Sequence, residues 1–93
     1  MKTMFTSDYK YTNRLEVIAL LQVLHTQLDK LIASLDDGKA RRDSISCLNK
    51  VIELEYQLRT TFADCPVLTF YPRADIGKAV FKAKLLLNKY GNA

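Results

Sequence analysis

The chain has no tryptophan, only two prolines and three glycines, and no long apolar run. Disordered chains are usually richer in Pro and Gly than this. The apolar content of 48% and the charged content of 26% are those of an ordinary globular protein. The longest apolar runs, such as "VIALL", fall far short of the ~18 residues that a membrane span needs. The N-terminal "MKTMFTSDYKYTN" holds no apolar stretch of signal-peptide length. We therefore expect a single helical domain, residues 1–93, that stays in the cytoplasm.

Histidine and cysteine are also scarce. The only histidine is His25, and the cysteines are Cys47 and Cys65. A disulfide framework in a small secreted domain normally uses four or more cysteines. A metal site needs closely spaced Cys or His ligands, which this chain does not offer. We expect two free thiols, no metal and no cofactor.

Positive charge is concentrated at the C-terminal end. Residues 1–71 carry nine Lys or Arg and nine Asp or Glu, so their charges balance. Residues 72–93 carry five basic residues against Asp75 alone, and five minus one accounts for the whole net charge of +4. The basic character therefore belongs to the last segment.

Apolar spacing predicts an all-α fold, a small antiparallel bundle of three main helices, about 13–36, 43–63 and 73–90. In the first helix, leucines and a valine follow a 4,3,4,3,4 spacing, and Asn13 with Glu16 forms a capping-box pattern. The second helix can start nearer Lys39, because "KARR" tolerates helix, and Pro66 forces an end by about Ala63. Pro72 suits the first turn of the third helix. Residues 7–12 can extend the first helix, since Ser7 is also a candidate N-cap, and a fourth short segment can join the bundle.

Between the second and third helices lies "CPVLTFYP", which predicts an extended connector at 64–72. A small two-stranded ribbon with "MFTSDYKY" near the N-terminus is the alternative.

The apolar stripes of the three helices predict the core. Its members are Val17, Leu21, Leu24, Leu28, Leu31, Leu48, Val51, Ile52, Leu58, Ile76, Val80 and Leu87.

The third helix has a second, smaller apolar patch. At about 100° per residue, Phe81 and Leu85 fall on the side opposite its core stripe, beside Lys78, Lys82 and Lys89. Apolar patches with polar rims mark interaction sites, so we predict that these five residues bind a partner. Alternatively, the N-terminal segment, with Phe5, Tyr9 and Tyr11, or the 66–71 connector covers the patch.

Glu55 falls on the apolar arc of the second helix, and a buried unpaired carboxylate is costly. We expect a pair between Glu55 and Arg59 at the rim of the core, with His25 as the alternative partner. No nucleophile or second acid is placed beside Glu55 by spacing, so we expect no enzymatic activity.

These expectations indicate a non-enzymatic helical binding protein that acts on another protein with an acidic surface. In size, charge and the placement of its C-terminal helix, the chain is similar to the small bacteriocin immunity proteins. That architectural similarity implies an inhibitor, immunity factor or regulatory subunit. The alternative function is a nucleic-acid-binding regulator that uses the same basic helix. Homodimer formation is a further expectation, because the heptad spacing of the first helix suits a partner from a second chain.

Overall fold

Three α-helices make up most of the protein. The computed structural model describes residues 11–68 and 70–91, and its helices are α1 (Arg14–Ser34), α2 (Lys39–Arg59) and α3 (Phe70–Tyr90). Each helix packs against the other two. Consecutive helices run antiparallel, which confirms the predicted three-helix bundle. The proposed extension at 7–12 falls mostly outside the described residues.

α1 begins where the sequence indicates. The Asn13 side-chain oxygen accepts a hydrogen bond from the backbone N–H of Glu16 at 3.0 Å, which satisfies one of the unpaired donors of the first turn. The helix ends at Ser34, two residues before the predicted end, and the N–H of Leu35 bonds to the carbonyl of Ile32.

α2 is shifted toward the N-terminus relative to its predicted range of 43–63. It begins at Lys39, directly after Gly38, whose φ of 154° is a conformation that other residues rarely adopt. It ends at Arg59, because residues 60–64 fold into turns in which the N–H of Phe62 bonds to the carbonyl of Gln57 at 3.0 Å. The two β-branched residues Thr60 and Thr61 favour this earlier end.

The connector begins and ends earlier than the predicted 64–72, because α2 ends at Arg59 and α3 already begins at Phe70. Pro72 then lies in the first turn of the helix, where its missing N–H would have no helical partner. The connector is fixed by one antiparallel bridge between Asn13 and Val67. The N–H of Leu68 donates to the carbonyl of Thr12 at 2.7 Å. Of the proposed ribbon partner "MFTSDYKY", all but its last residue lies outside the described residues.

The predicted core is confirmed at ten of its twelve positions. The prediction is wrong for Ile52, which is 42% exposed. Leu87 is only partly buried, at the edge of the core. The reason lies in the orientation of α2, which packs against α1 and α3 at once. Its buried face is therefore turned toward Cys47 and Leu54, which the prediction missed. Small side chains on this face let α3 approach closely, and the Cys47 thiol lies 4.0 Å from the carbonyl oxygen of Ala79.

Two arginines tie α1 and α2 together at their ends. Arg14 donates to the carbonyl of Leu58 at 3.1 Å, and Arg41 donates to the carbonyls of Ile32 and Leu35 at 3.2 and 2.9 Å. Each arginine therefore donates to carbonyl groups at the C-terminal end of the other helix, where intrahelical donors run out. Arg41 has a structural role in this arrangement.

Candidate functional site: the outer face of α3

The side of α3 turned away from the core carries the residues that the sequence singled out. We call the surface formed by Lys78, Phe81, Lys82, Lys84, Leu85 and Lys89 the outer face of α3. Phe81 is 69% exposed and Leu85 is 52% exposed, although α3 buries other apolar residues fully on its opposite side. The expectation that these two side chains point away from the core stripe is therefore met. Whether they bind a partner stays a prediction.

Lys78 and Lys82 lie on the side of the outer face that approaches α2. Both line a groove of about 300 Å³ between α2 and α3, with the Cys47 thiol and Ala79 among its other lining residues. The charge of Lys82 reaches α2, where it contributes to lowering the pKa of Asp43. The larger cause of that lowered pKa is the hydrogen bond from Lys39 to Asp43, 2.8 Å long.

Lys84 lies on the other side of Phe81 and Leu85, toward α1. It lines a shallow depression together with Gln27 of α1, and with Leu87 and Asn88. The prediction of the site omitted Lys84. The helical periodicity of the sequence could have identified Lys84. A step of about 100° per residue places it outside the core stripe, roughly 100° from Leu85.

Lys89 completes the basic rim near the C-terminal end of α3. Its ammonium nitrogen lies 5.3 Å from the centre of the Tyr90 ring, within the range of a cation–π contact. Within residues 11–68 and 70–91, none of the four lysines of the outer face forms an ion pair with an Asp or Glu. No carboxylate of these residues therefore neutralises them by direct contact.

Some other basic residues of the chain are engaged locally. Lys39 pairs with Asp43 at 2.8 Å, and Arg41 bonds to the end of α1. Among the basic side chains of "KARRD" at 39–43, that of Arg42 alone has no hydrogen bond or ion pair to the described residues. The concentration of unneutralised charge on α3 distinguishes it from this segment.

Two exposed apolar residues of α1 provide a useful comparison. Leu15 is 67% exposed and Val23 is 53% exposed, nearly the same fractions as Phe81 and Leu85. The residues lining the surface around Val23 are Ala19, Gln22, Thr26 and Gln27, and none of them is charged. Exposure alone therefore does not set the outer face of α3 apart. Relative to this surface of α1, the outer face of α3 is distinguished by its combination of exposed apolar side chains with a basic rim.

The polar pair at the edge of the core differs from the main expectation. Glu55 is paired with His25 of α1, whose Nδ1 donates to Oε2 of Glu55 at 2.9 Å. The expected Glu55–Arg59 pair is absent among the described ion pairs. The Nε2 atom of His25 lies 3.9 Å from Asp29, so the ring stands between two carboxylates. The pair links α1 to α2 and satisfies a carboxylate that is largely buried.

The two cysteines lie in different surroundings. Cys47 is buried and Cys65 is exposed. Burial raises the pKa of the Cys47 thiol, and the charge of Lys82 partly offsets that effect. In the part of the chain that the structure describes, no group of three or more His, Cys, Asp or Glu side chains is arranged to hold a metal ion.

None of the described helices is long and apolar enough to cross a bilayer. Comparisons with protein-family models, with curated proteins and with solved structures give no match.

Proposed function

We propose that this protein is a non-enzymatic binding protein that recognises another protein through the outer face of α3, as an inhibitor, immunity factor or regulatory subunit in the cytoplasm. The observation that carries the proposal is the exposure of Phe81 and Leu85 amid four lysines without ion-pair partners in the described structure. An apolar centre with a polar rim is the usual arrangement of a protein-binding surface.

The apolar pair supplies most of the affinity in this proposal. Burying a large apolar side chain contributes about 1.5–3 kcal/mol, and scaling by the exposed fractions gives roughly 3 kcal/mol for Phe81 and Leu85 together. Since about 1.4 kcal/mol corresponds to a tenfold change in affinity, their loss should weaken binding roughly a hundredfold. The lysines mainly speed association with an acidic surface, and this effect weakens as salt screens the charges.

Affinity capture from the native host with matched variants tests the proposal. Phe81→Ser with Leu85→Ser removes the apolar pair, and Leu15→Ser with Val23→Ser removes an equally exposed pair from α1. We expect the wild type and the α1 variant to retain the same partner, and the α3 variant to lose it. Circular dichroism should show all three proteins folded. A partner that is retained by the folded α3 variant contradicts the proposal.

Salt dependence separates this proposal from nucleic-acid binding. A protein that neutralises several phosphates loses affinity for DNA steeply as salt rises. We expect the protein to bind random duplex DNA weakly at physiological salt, because the lysines flank an apolar pair that phosphates cannot use. Tight, steeply salt-dependent DNA binding would instead favour the alternative.

We propose a monomer in place of self-association through α1. The heptad stripe that suggested a second chain is buried inside the same chain. Light scattering should accordingly give the mass of a monomer for the purified protein.

A further inference from the structure

Four exposed residues on the side of α3 turned away from the core follow the spacing of a helix-packing seam. Lys78, Phe81, Leu85 and Asn88 are separated by three, four and three residues, and all four are exposed. This spacing places them in one row along the helix, as in the contact row of a coiled coil. The row therefore matches the surface periodicity of a second helix.

A partner in the extended conformation fits this surface poorly. Binding by strand addition requires a sheet edge with unpaired backbone N–H and C=O groups. In residues 78–90 the backbone is helical, so its hydrogen bonds are internal. The isolated bridge at Asn13 and Val67 lies in the connector region, away from this row in sequence. A helix laid along the row needs no backbone groups from α3.

Lysines stand on both sides of the row. Lys82 faces the groove toward α2, and Lys84 faces the depression toward α1. These are the flanking positions from which charged side chains reach across to a packed helix. A partner helix that fits both flanks must therefore carry acidic residues on each side of its apolar row.

A second copy of this chain is a poor occupant of the same surface. Two copies of α3 packed face to face would bring together four lysines from each, with no acidic residue of the outer face to offset them. Like charges held close together oppose association. The charge of the surface thus selects against its own copy and for an acidic helix.

We propose that the partner element recognised by the outer face of α3 is an acidic amphipathic α-helix that lies along the Lys78–Phe81–Leu85–Asn88 row. Its apolar side chains, spaced three and four residues apart, pack against Phe81 and Leu85. Its carboxylates pair with Lys82 and Lys84 on opposite sides. This inference rests on the proposed function and specifies the chemistry of the partner.

Two synthetic peptides as long as α3 test the inference. The first carries leucines at alternating three- and four-residue spacing, with glutamates on both flanks. The second has the same composition, but its leucines are distributed around the helix. We expect the first peptide to bind at least about tenfold more tightly, and NMR chemical-shift changes to centre on Phe81 and Leu85. The Phe81→Ser with Leu85→Ser variant should lose this preference, whereas Leu15→Ser with Val23→Ser should keep it.

Equal binding of the two peptides, or shifts centred on another face, would overturn the inference. Competition separates its failure from that of the proposed function. If a captured partner requires Phe81 and Leu85 but the leucine-row peptide does not displace it, the surface binds a partner that is not an acidic helix. If no partner requires Phe81 and Leu85, the proposed function itself fails.

Discussion

Replacing Leu24 with alanine tests the core that holds α3 in place. Leu24 is 3% exposed and belongs to the single buried cluster that α1 shares with α2 and α3. The change removes about three carbon groups, which at roughly 0.8 kcal/mol each amounts to about 2.4 kcal/mol of lost burial. The cavity left behind raises the expected cost to about 3–4 kcal/mol.

That cost is large for a chain of this size. At about 0.05–0.15 kcal/mol per residue, the folded state has roughly 5–14 kcal/mol of stability. Urea denaturation should therefore show a clearly lower midpoint, and thermal denaturation a fall in Tm of about 12–30 °C. Leu15→Ala is the matched control, because it makes the same chemical change at an exposed position of the same helix. Its free energy of unfolding should change by less than about 0.5 kcal/mol. Equal effects of the two changes would refute the assignment of the core.

Three further predictions follow from buried and exposed groups. In native protein, a thiol reagent should modify exposed Cys65 quickly and buried Cys47 slowly, because burial both blocks access and raises the Cys47 pKa; equal rates would contradict this assignment. Glu55→Ala should lower the free energy of unfolding by about 1–3 kcal/mol at pH 7 through loss of the contact with His25, and an unchanged urea midpoint would show that this contact contributes nothing. Ile52→Ser should cost far less stability than Val51→Ser, since only Val51 is fully buried, and similar urea midpoints would reverse that ranking.

The existence and order of the helices could be predicted because their apolar residues repeat with helical spacing. In α1 the five buried residues coincide with the predicted stripe. The boundaries were harder to predict, because they depend on local competition. Helix formers at 39–42 allow α2 to begin at Lys39, directly after Gly38, whereas the turns at 60–64 end it before Pro66 imposes a stop.

The orientation of α2 was predicted less well, because it depends on the positions of the neighbouring helices, which the periodicity of α2 does not reveal. A helix that contacts two neighbours buries the face between them, and this depends on where the neighbours lie. Ile52 is therefore exposed while Leu54 is buried. The same dependence explains why Glu55 meets His25, a contact between helices, in place of Arg59 one turn along α2.

The candidate site was predictable where a single helix determines it. The position of Phe81 and Leu85 opposite the core stripe follows from the periodicity of α3 alone. Lys84 completes the second flank only when α1 is placed beside α3. The role of Arg41 at the end of α1 likewise depends on the packing of two helices.

Photo-crosslinking in the native host tests the central claim most directly. A benzoylphenylalanine placed at position 81 should crosslink to one discrete protein, and the yield should fall when Leu85 is changed to Ser. The same group at position 15, which is equally exposed on α1, should not capture that protein. The account is contradicted if position 81 captures no discrete protein while the probe is folded and present, or if position 15 captures the same protein equally well.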